Sequence, residues 1–210
     1  MSADEPTLPS PTEERLLRAG FRTDPNDDPF VIASLEDPNA RARVLALRAA
    51  TRRHLMDVDR WATSLDDENV YVRREALAQL AYHDASPELL GVIRRALVDG
   101  DPLVVDAAIF ALGEHHDLHA LDAIVAIARV HEDARCREAA VAALGVLGDD
   151  RGRDAVLAAL EDSAPIRRRA IVALSNFEGP DIEAALEKAK TDRDWQVRAA
   201  VDQLTKSEPD

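Results

Sequence analysis

Residues 67–80 read DENVYVRREALAQL (Asp67–Leu80), and this stretch decides the fold because the chain repeats its pattern six times. Beneath it align DPNARARVLALRAA from Asp37, DGDPLVVDAAIFAL from Asp99 and HEDARCREAAVAAL from His131. EDSAPIRRRAIVAL from Glu161 and DRDWQVRAAVDQLT from Asp192 complete the set. The first column advances by 30, 32, 32, 30 and 31 residues, and five of its six members are acidic. Five places on stand Ala42, Val72, Val104, Cys136, Ile166 and Val197; next come Arg43, Arg73, Val105, Arg137, Arg167 and Arg198. Then follow Ala46, Ala76, Ala108, Ala140, Ala170 and Val201, and four further on Ala50, Leu80, Leu112, Leu144, Leu174 and Thr205. Apolar positions four apart mark one face of an α-helix. The small residue in the middle of that face lets helix backbones approach closely.

Second amphipathic runs lie between these helices, among them LMDVDRWATSL, SPELLGVIRRAL, LHALDAIVAIARV, RGRDAVLAAL and DIEAALEKAK. Start signals agree. Asp37-Pro38 and Asp101-Pro102 read as N-cap carboxylates before a proline at the first helical position, and Ser86-Pro87 opens a first helix likewise. Ser10-Pro11-Thr12-Glu13 reads as a capping box opening a lead-in helix. Each period of about 31 residues is therefore two helices and two turns. Neither helix can bury its face alone, so the units stack on one continuous core.

This layout resembles the HEAT repeat family, specifically the shorter variety named after phycobilisome lyase subunits. The family pattern of a turn acid, Val-Arg, Ala and Ala-Leu stands here as Asp67, Val72-Arg73, Ala76 and Leu80, and the match runs from about Asp28 to Lys206. The resemblance implies an all-α, right-handed superhelix of five to six two-helix repeats plus the lead-in helix. It implies a single domain over 11–206, between tails 1–10 and 207–210 expected to be disordered. It also implies a structural ladder in which the column arginines pair with turn acids: Asp37, Arg43, Asp67, Arg73, Asp99, Arg137, Glu161, Arg167, Asp192 and Arg198. The rival reading of Arg73, Arg137, Arg167 and Arg198 as an anion-binding stripe is weaker, because donor and acceptor columns share one period. Val105 and His131 break the columns mid-chain, which suggests a hinge or a docking place there.

Composition narrows the function. Among 210 residues, 46% are apolar but only 4% aromatic, so the core is built of Ala, Leu, Val and Ile. A formal net charge of −14 repels phosphate backbones and anionic membranes, so neither nucleic acid nor membrane is expected as a partner. Abundant Asp beside only three lysines would also suit a salt-rich cytoplasm, in which case the acidity says little about partners. One cysteine, Cys136, excludes an internal disulfide, and as a core-column residue it reads as a buried inert thiol. The acidic, proline-rich start lacks the pattern of a signal peptide, and no apolar run approaches membrane-spanning length. A cytoplasmic protein is the expectation.

The most informative stretch is Cys136–Gly148, CREAAVAALGVLG, where no charge follows Glu138. Either it is buried on every side by close packing, or it exposes an apolar strip to a partner. On the second reading the binding surface comprises Ala107, Phe110, Ala111, Ala139 and Ala143, with Glu75, Gln79, Glu114 and Arg169 around Phe110 as anchor. Arg167-Arg168-Arg169 is a dense basic cluster, read as a solvated face or a contact for an acidic partner. His54, His83, His115, His116 and His119 fall at the ends of second helices, with His54, His83 and His115 in near-equivalent places. His115, His116 and His119 form a weak metal candidate, since the helix dipole alone favours histidine there. Trp61 is expected between units and Trp195 at an exposed end.

Enzymatic readings each make a demand. Resemblance to HEAT-like di-iron hydroxylases would need His-Glu pairs just after the column arginine, where this chain has Arg74-Glu75 and Arg137-Glu138. HEAT-like alkylpurine glycosylases would need a basic groove. No catalytic triad or phosphate loop is found. The reading is a non-catalytic protein-binding scaffold without cofactor, holding a helix or an extended segment of another protein on its concave face. A lyase-type accessory subunit, assisting chemistry on a bound protein or cofactor, is the alternative.

Overall fold

A computed structural model describes residues 8–22 and 24–206. The expected tails fall mainly outside this range, at residues 1–7 and 207–210. Thirteen α-helices and no strand occur among the described residues. Contacts gather into two compact bodies divided between Asp84 and Ala85.

The N-terminal body opens with the lead-in helix α1 (Pro11–Ala19), capped as its sequence announces: Ser10 Oγ accepts the Glu13 amide, and Glu13 Oε2 accepts the Ser10 amide at 2.8 Å. Two helix pairs follow, α2 (Asp28–Ala33) with α3 (Ala40–Arg52), and α4 (Val58–Leu65) with α5 (Val70–Leu80). α1, α3 and α5 lie side by side, with α2 packed on α3 and α4 on α5. Leu16, Ala19, Val31, Ala42, Ala46, Ala49 and Ala50 form the core between α1, α2 and α3.

The C-terminal body holds four pairs: α6 (Pro87–Arg95) with α7 (Pro102–Glu114), α8 (Leu121–Val130) with α9 (Ala134–Leu147), α10 (Arg153–Ala158) with α11 (Ala164–Leu174), and α12 (Pro180–Ala189) with α13 (Trp195–Lys206). The second helices α7, α9, α11 and α13 each touch the next. The sequence columns are the core. Ala46, Ala76, Ala108, Ala140, Ala170 and Val201 are all fully buried, as are Ala50, Leu80, Leu112, Leu144 and Leu174. Each buried leucine contributes roughly 1.5–3 kcal/mol by removing its side chain from water.

Small residues set the spacing. A Cβ on Gly145 of α9 would lie 2.7 Å from both Cα and Cβ of Ala173 on α11, so these backbones meet at the limit of contact. At the α7–α9 crossing a Cβ on Gly113 would meet Ala143 Cβ at 3.5 Å, which is ordinary packing.

The turns before the second helices correct one expectation. Asp37 is not an N-cap: Asn39 caps α3 by accepting the Arg41 amide at 2.9 Å, and Asp37 accepts the Asn39 amide at 2.8 Å. The helix therefore starts two residues later than Asp37-Pro38 suggests. The same tandem recurs as Asp67-Asn69, Asp99-Asp101 and Asp192-Asp194. In each, two short polar side chains satisfy successive backbone donors that the first turn leaves unpaired.

Candidate protein-binding groove

The column arginines come first, because their pairing decides which charges are available. Arg43 forks onto Asp67 with both contacts at 2.7 Å, while its Nη1 donates to the Asp37 carbonyl of its own turn. Arg167 repeats this on Asp192, with Nε at 2.9 Å and Nη2 at 2.8 Å, and donates to the Asp162 carbonyl. Arg73 and Arg198 donate to the carbonyls of Asp67 and Asp192 in their own turns. Each such arginine clamps its own turn and, where it forks, the carboxylate of the next. A bidentate, charge-assisted fork is among the stronger polar contacts a protein makes.

Glu161 is not a rung. Arg137 forks onto Asp162 instead, at 2.8 and 3.1 Å, and Glu161 stands exposed beside Lys188. The reason is a turn one residue shorter. Ser163 precedes α11 directly after Asp162, whereas one residue separates Asp67 from Asn69 and Asp192 from Asp194, so the first-column position shifts onto Asp162.

These rungs make stability depend on pH. The arginine forks hold the carboxyls of Asp162 and Asp192 below the usual carboxylate range. A carboxyl depressed in the folded state stabilises above its unfolded pKa of about 3.9, and that contribution disappears as pH falls through the lower folded value. Thermal midpoints measured from pH 6 down to pH 2 should therefore fall more steeply for the natural protein than for Asp192→Asn, with the two curves converging in acid. Parallel curves would remove Asp192 from this account.

Val105 and His131 leave the ladder together. Val105 is buried, and His131 Nδ1 accepts the Asp133 amide at 3.1 Å, the bond a carboxylate makes in the other tandem turns. Imidazole thus keeps the cap without presenting an anion to an absent arginine.

The remaining singled-out residues sort by burial. Cys136 is fully buried, donates to the Pro102 carbonyl at 3.4 Å, and has its thiol pushed up to about 11 by burial. It is unreactive chemistry at neutral pH. Trp61 is buried edge-on to His83, whereas Trp195 is exposed as the first residue of α13. His54 and His116 carry positive φ, 57° and 50°, just past the ends of α3 and α7. His116 and not His115 is therefore the counterpart of His54, and both terminate helices in the left-handed conformation. Among the described residues no group of three or more His, Cys, Asp or Glu is placed to hold a metal.

What is left is a groove of about 580 Å³ on the exposed side of α7, α9 and α11. Phe110, Ala139, Ala142, Ala143 and Val146 make its apolar wall and floor, and Asp106, Glu114, Arg135, Glu138 and Arg169 its rim. Phe110 is 46% exposed and Val146 47%, so α9 is bare here towards solvent and not merely packed. Of the surface expected from sequence, Phe110, Glu114, Ala139, Ala143 and Arg169 line this groove. Ala111 is fully buried and belongs to the core, and Ala107 is half-buried on α7 outside the lining. Glu75 and Gln79 lie in the N-terminal body, where Arg48 forks onto Glu75 and Gln79 donates to it. The residues not foreseen are Asp106, Gly113, Arg135, Glu138, Ala142 and Val146. Ala142 occupies the Phe110 column one unit later, and Val146 lies one helical turn beyond, so the repeat alignment carried the signal.

A second, shallower groove of about 390 Å³ continues across α11 and α13, lined by Arg168, Arg169, Val172, Trp195 and Gln196 among others. Val172 shares the Phe110 column and is 52% exposed, and Trp195 is 66% exposed.

Comparison with known proteins agrees with this architecture. Among solved structures, a designed armadillo repeat protein in complex with the peptide (KR)4 aligns at TM-score 0.61 and 16% identity, covering 85% of this chain and 98% of its own. The Escherichia coli protein YibA aligns at TM-score 0.64 and 19% identity, covering 94% and 75%. At such identities the likeness speaks for the fold alone. No curated protein sequence matches the chain. The family model described as HEAT repeats matches residues 58–145 and 121–205, more than half of the chain, and the chain accordingly belongs to the HEAT repeat family.

Proposed function

We propose that the C-terminal body is a non-catalytic protein-binding module whose groove holds an extended segment of another protein. One observation carries this: Phe110 stands half-exposed beside a floor of alanines on the stretch of α9, residues 139–146, that carries no charge. Exposed aromatic surface beside small residues leaves room for a partner's apolar side chain, and aromatic anchors of this kind dominate binding energy. Length favours an extended segment over a helix. Phe110 on α7 and Trp195 on α13 are three helix spacings apart, about 30 Å at the usual 8–10 Å per spacing. Roughly nine extended residues span that distance, against some twenty in a helix. The designed armadillo protein of like fold is in complex with a peptide, (KR)4, which supports a peptide as the class of ligand. A lyase-type accessory role rests on family likeness, with no groove residue favouring it.

The test is a peptide selected against the folded protein from a random library. Phe110→Asp should weaken its binding at least about 30-fold, the size of an aromatic hot spot, with helical circular dichroism unchanged. Phe110→Ala should weaken it by less, and a selected peptide indifferent to both substitutions would overturn the proposal.

A further inference from the structure

The two grooves share Arg169, and their charges are ordered along the body. At the α7 end the rim carries the exposed Glu114, while the charge of Asp106 acts on Arg135. In the middle the charges compensate one another: Arg169 lies 3.4 Å from Glu138, and Arg135 lies 2.8 Å from Asp133. At the α11–α13 end Arg168 is exposed and donates only weakly, at 3.5 Å, to Gln196, beside Trp195. Acid, neutral and basic stretches thus follow one another along the exposed row Phe110, Ala142 and Val172, ending at Trp195.

Resting on the groove proposed above, we infer that its occupant is a bipolar segment: basic residues over α7, an apolar centre over α9, and acidic residues over α11 and α13. Arg168 would repel the end of a uniformly basic peptide, and Glu114 that of a uniformly acidic one. A chain of net charge −14 would ordinarily be expected to select cations, so the basic end is what gives the site its direction. Like charges facing each other across an interface exclude wrong partners more strongly than matched charges add affinity.

The probes are fluorescein-labelled nonapeptides sharing a central Leu-Ala-Leu. One pair has Lys-Arg-Lys at one end and Glu-Asp-Glu at the other, in both chain directions; three controls have both ends basic, both acidic, or both Ser-Gly-Ser. At low salt one bipolar peptide should bind about tenfold tighter than either uniformly charged one, since at one end an exposed ion pair replaces a repulsion. Arg168→Glu should remove that preference and let the uniformly basic peptide bind at least as tightly as the bipolar one. A nitroxide on the acidic end should quench the exposed Trp195, and one on the basic end should not; Trp195→Phe identifies the signal. Equal or tighter binding of a uniformly charged peptide, or quenching from both ends alike, overturns the polarity while the groove stands. Failure of every peptide, the Ser-Gly-Ser one included, overturns the groove and the polarity together.

Discussion

Leucine in place of Gly145 is expected to cost about 3 kcal/mol of stability, at the upper end of what overpacking a core does. The position has no room: any Cβ there would sit 2.7 Å from the Cα and Cβ of Ala173, and neither atom is the movable end of a flexible side chain. The α9 and α11 backbones must separate to admit it. Gly113 supplies the internal contrast, because its Cβ would meet Ala143 Cβ at 3.5 Å. Gly113→Ala should therefore be neutral, or stabilising by up to about 1 kcal/mol, since glycine is a poor helix former. Urea unfolding midpoints of the two variants would check both statements. A Gly145→Leu protein as stable as the natural one would mean that α9 and α11 do not approach so closely. The same substitution should also loosen binding in the groove, whose rim is carried on both helices, with Glu138 on α9 and Arg169 on α11.

The fold was legible because it is periodic. Six copies of one pattern average out local ambiguity, and the apolar columns read from sequence are buried in α3, α5, α7, α9 and α11 and at Val197 and Val201 of α13, with Thr205 outside the described side chains. What escaped notice lies within one residue of a boundary. Asp37-Pro38 looks like a helix start, yet Asn39 is the better placed acceptor and the helix waits for it. Glu161 aligns in the acidic column, but the shorter turn before Ser163 hands the rung to Asp162. His115 reads as the counterpart of His54 only if the columns are not counted through: His54 and His116 stand at the same distance from Asp37 and Asp99, and both are left-handed. Turn length changes by single residues, and a repeat alignment cannot resolve such changes from residue types alone.

The groove was legible only in part, for a different reason. A run without charge shows that a helix is bare but not which flank is covered. Ala143 and Gly145 face neighbouring helices, whereas Val146, one residue on, faces solvent. Phe110 is distinguishable because an aromatic residue among alanines cannot fit the close crossing that Gly113 and Ala143 make. Glu75 and Gln79 were grouped with it from the repeat alignment, which gives equivalent places in different units without saying which units share one surface.

Arginine introduced at Val105 is expected to cost about 3 kcal/mol alone, as a buried charge without its partner. Val105 is 1% exposed and occupies the place from which Arg43, Arg137 and Arg167 fork onto the next turn. The next turn offers His131, whose Nδ1 lone pair already holds the Asp133 amide. An arginine at 105 would find carbonyls of its own turn but no carboxylate at the place of Asp67 to fork onto. His131→Asp alone is a milder change, about 1 kcal/mol or less, because aspartate can make the same cap and loses only by adding charge beside Glu132 and Asp133. The two together rebuild a rung. The double variant should recover about 2 kcal/mol relative to the sum of the singles, the coupling expected of residues in direct contact. Denaturation of all four proteins closes the cycle. Strict additivity would show that Val105 and His131 are unrelated departures from the repeat, whereas coupling of that size makes them one substitution in two places, in which an apolar contact between α7 and α9 replaces an ion pair.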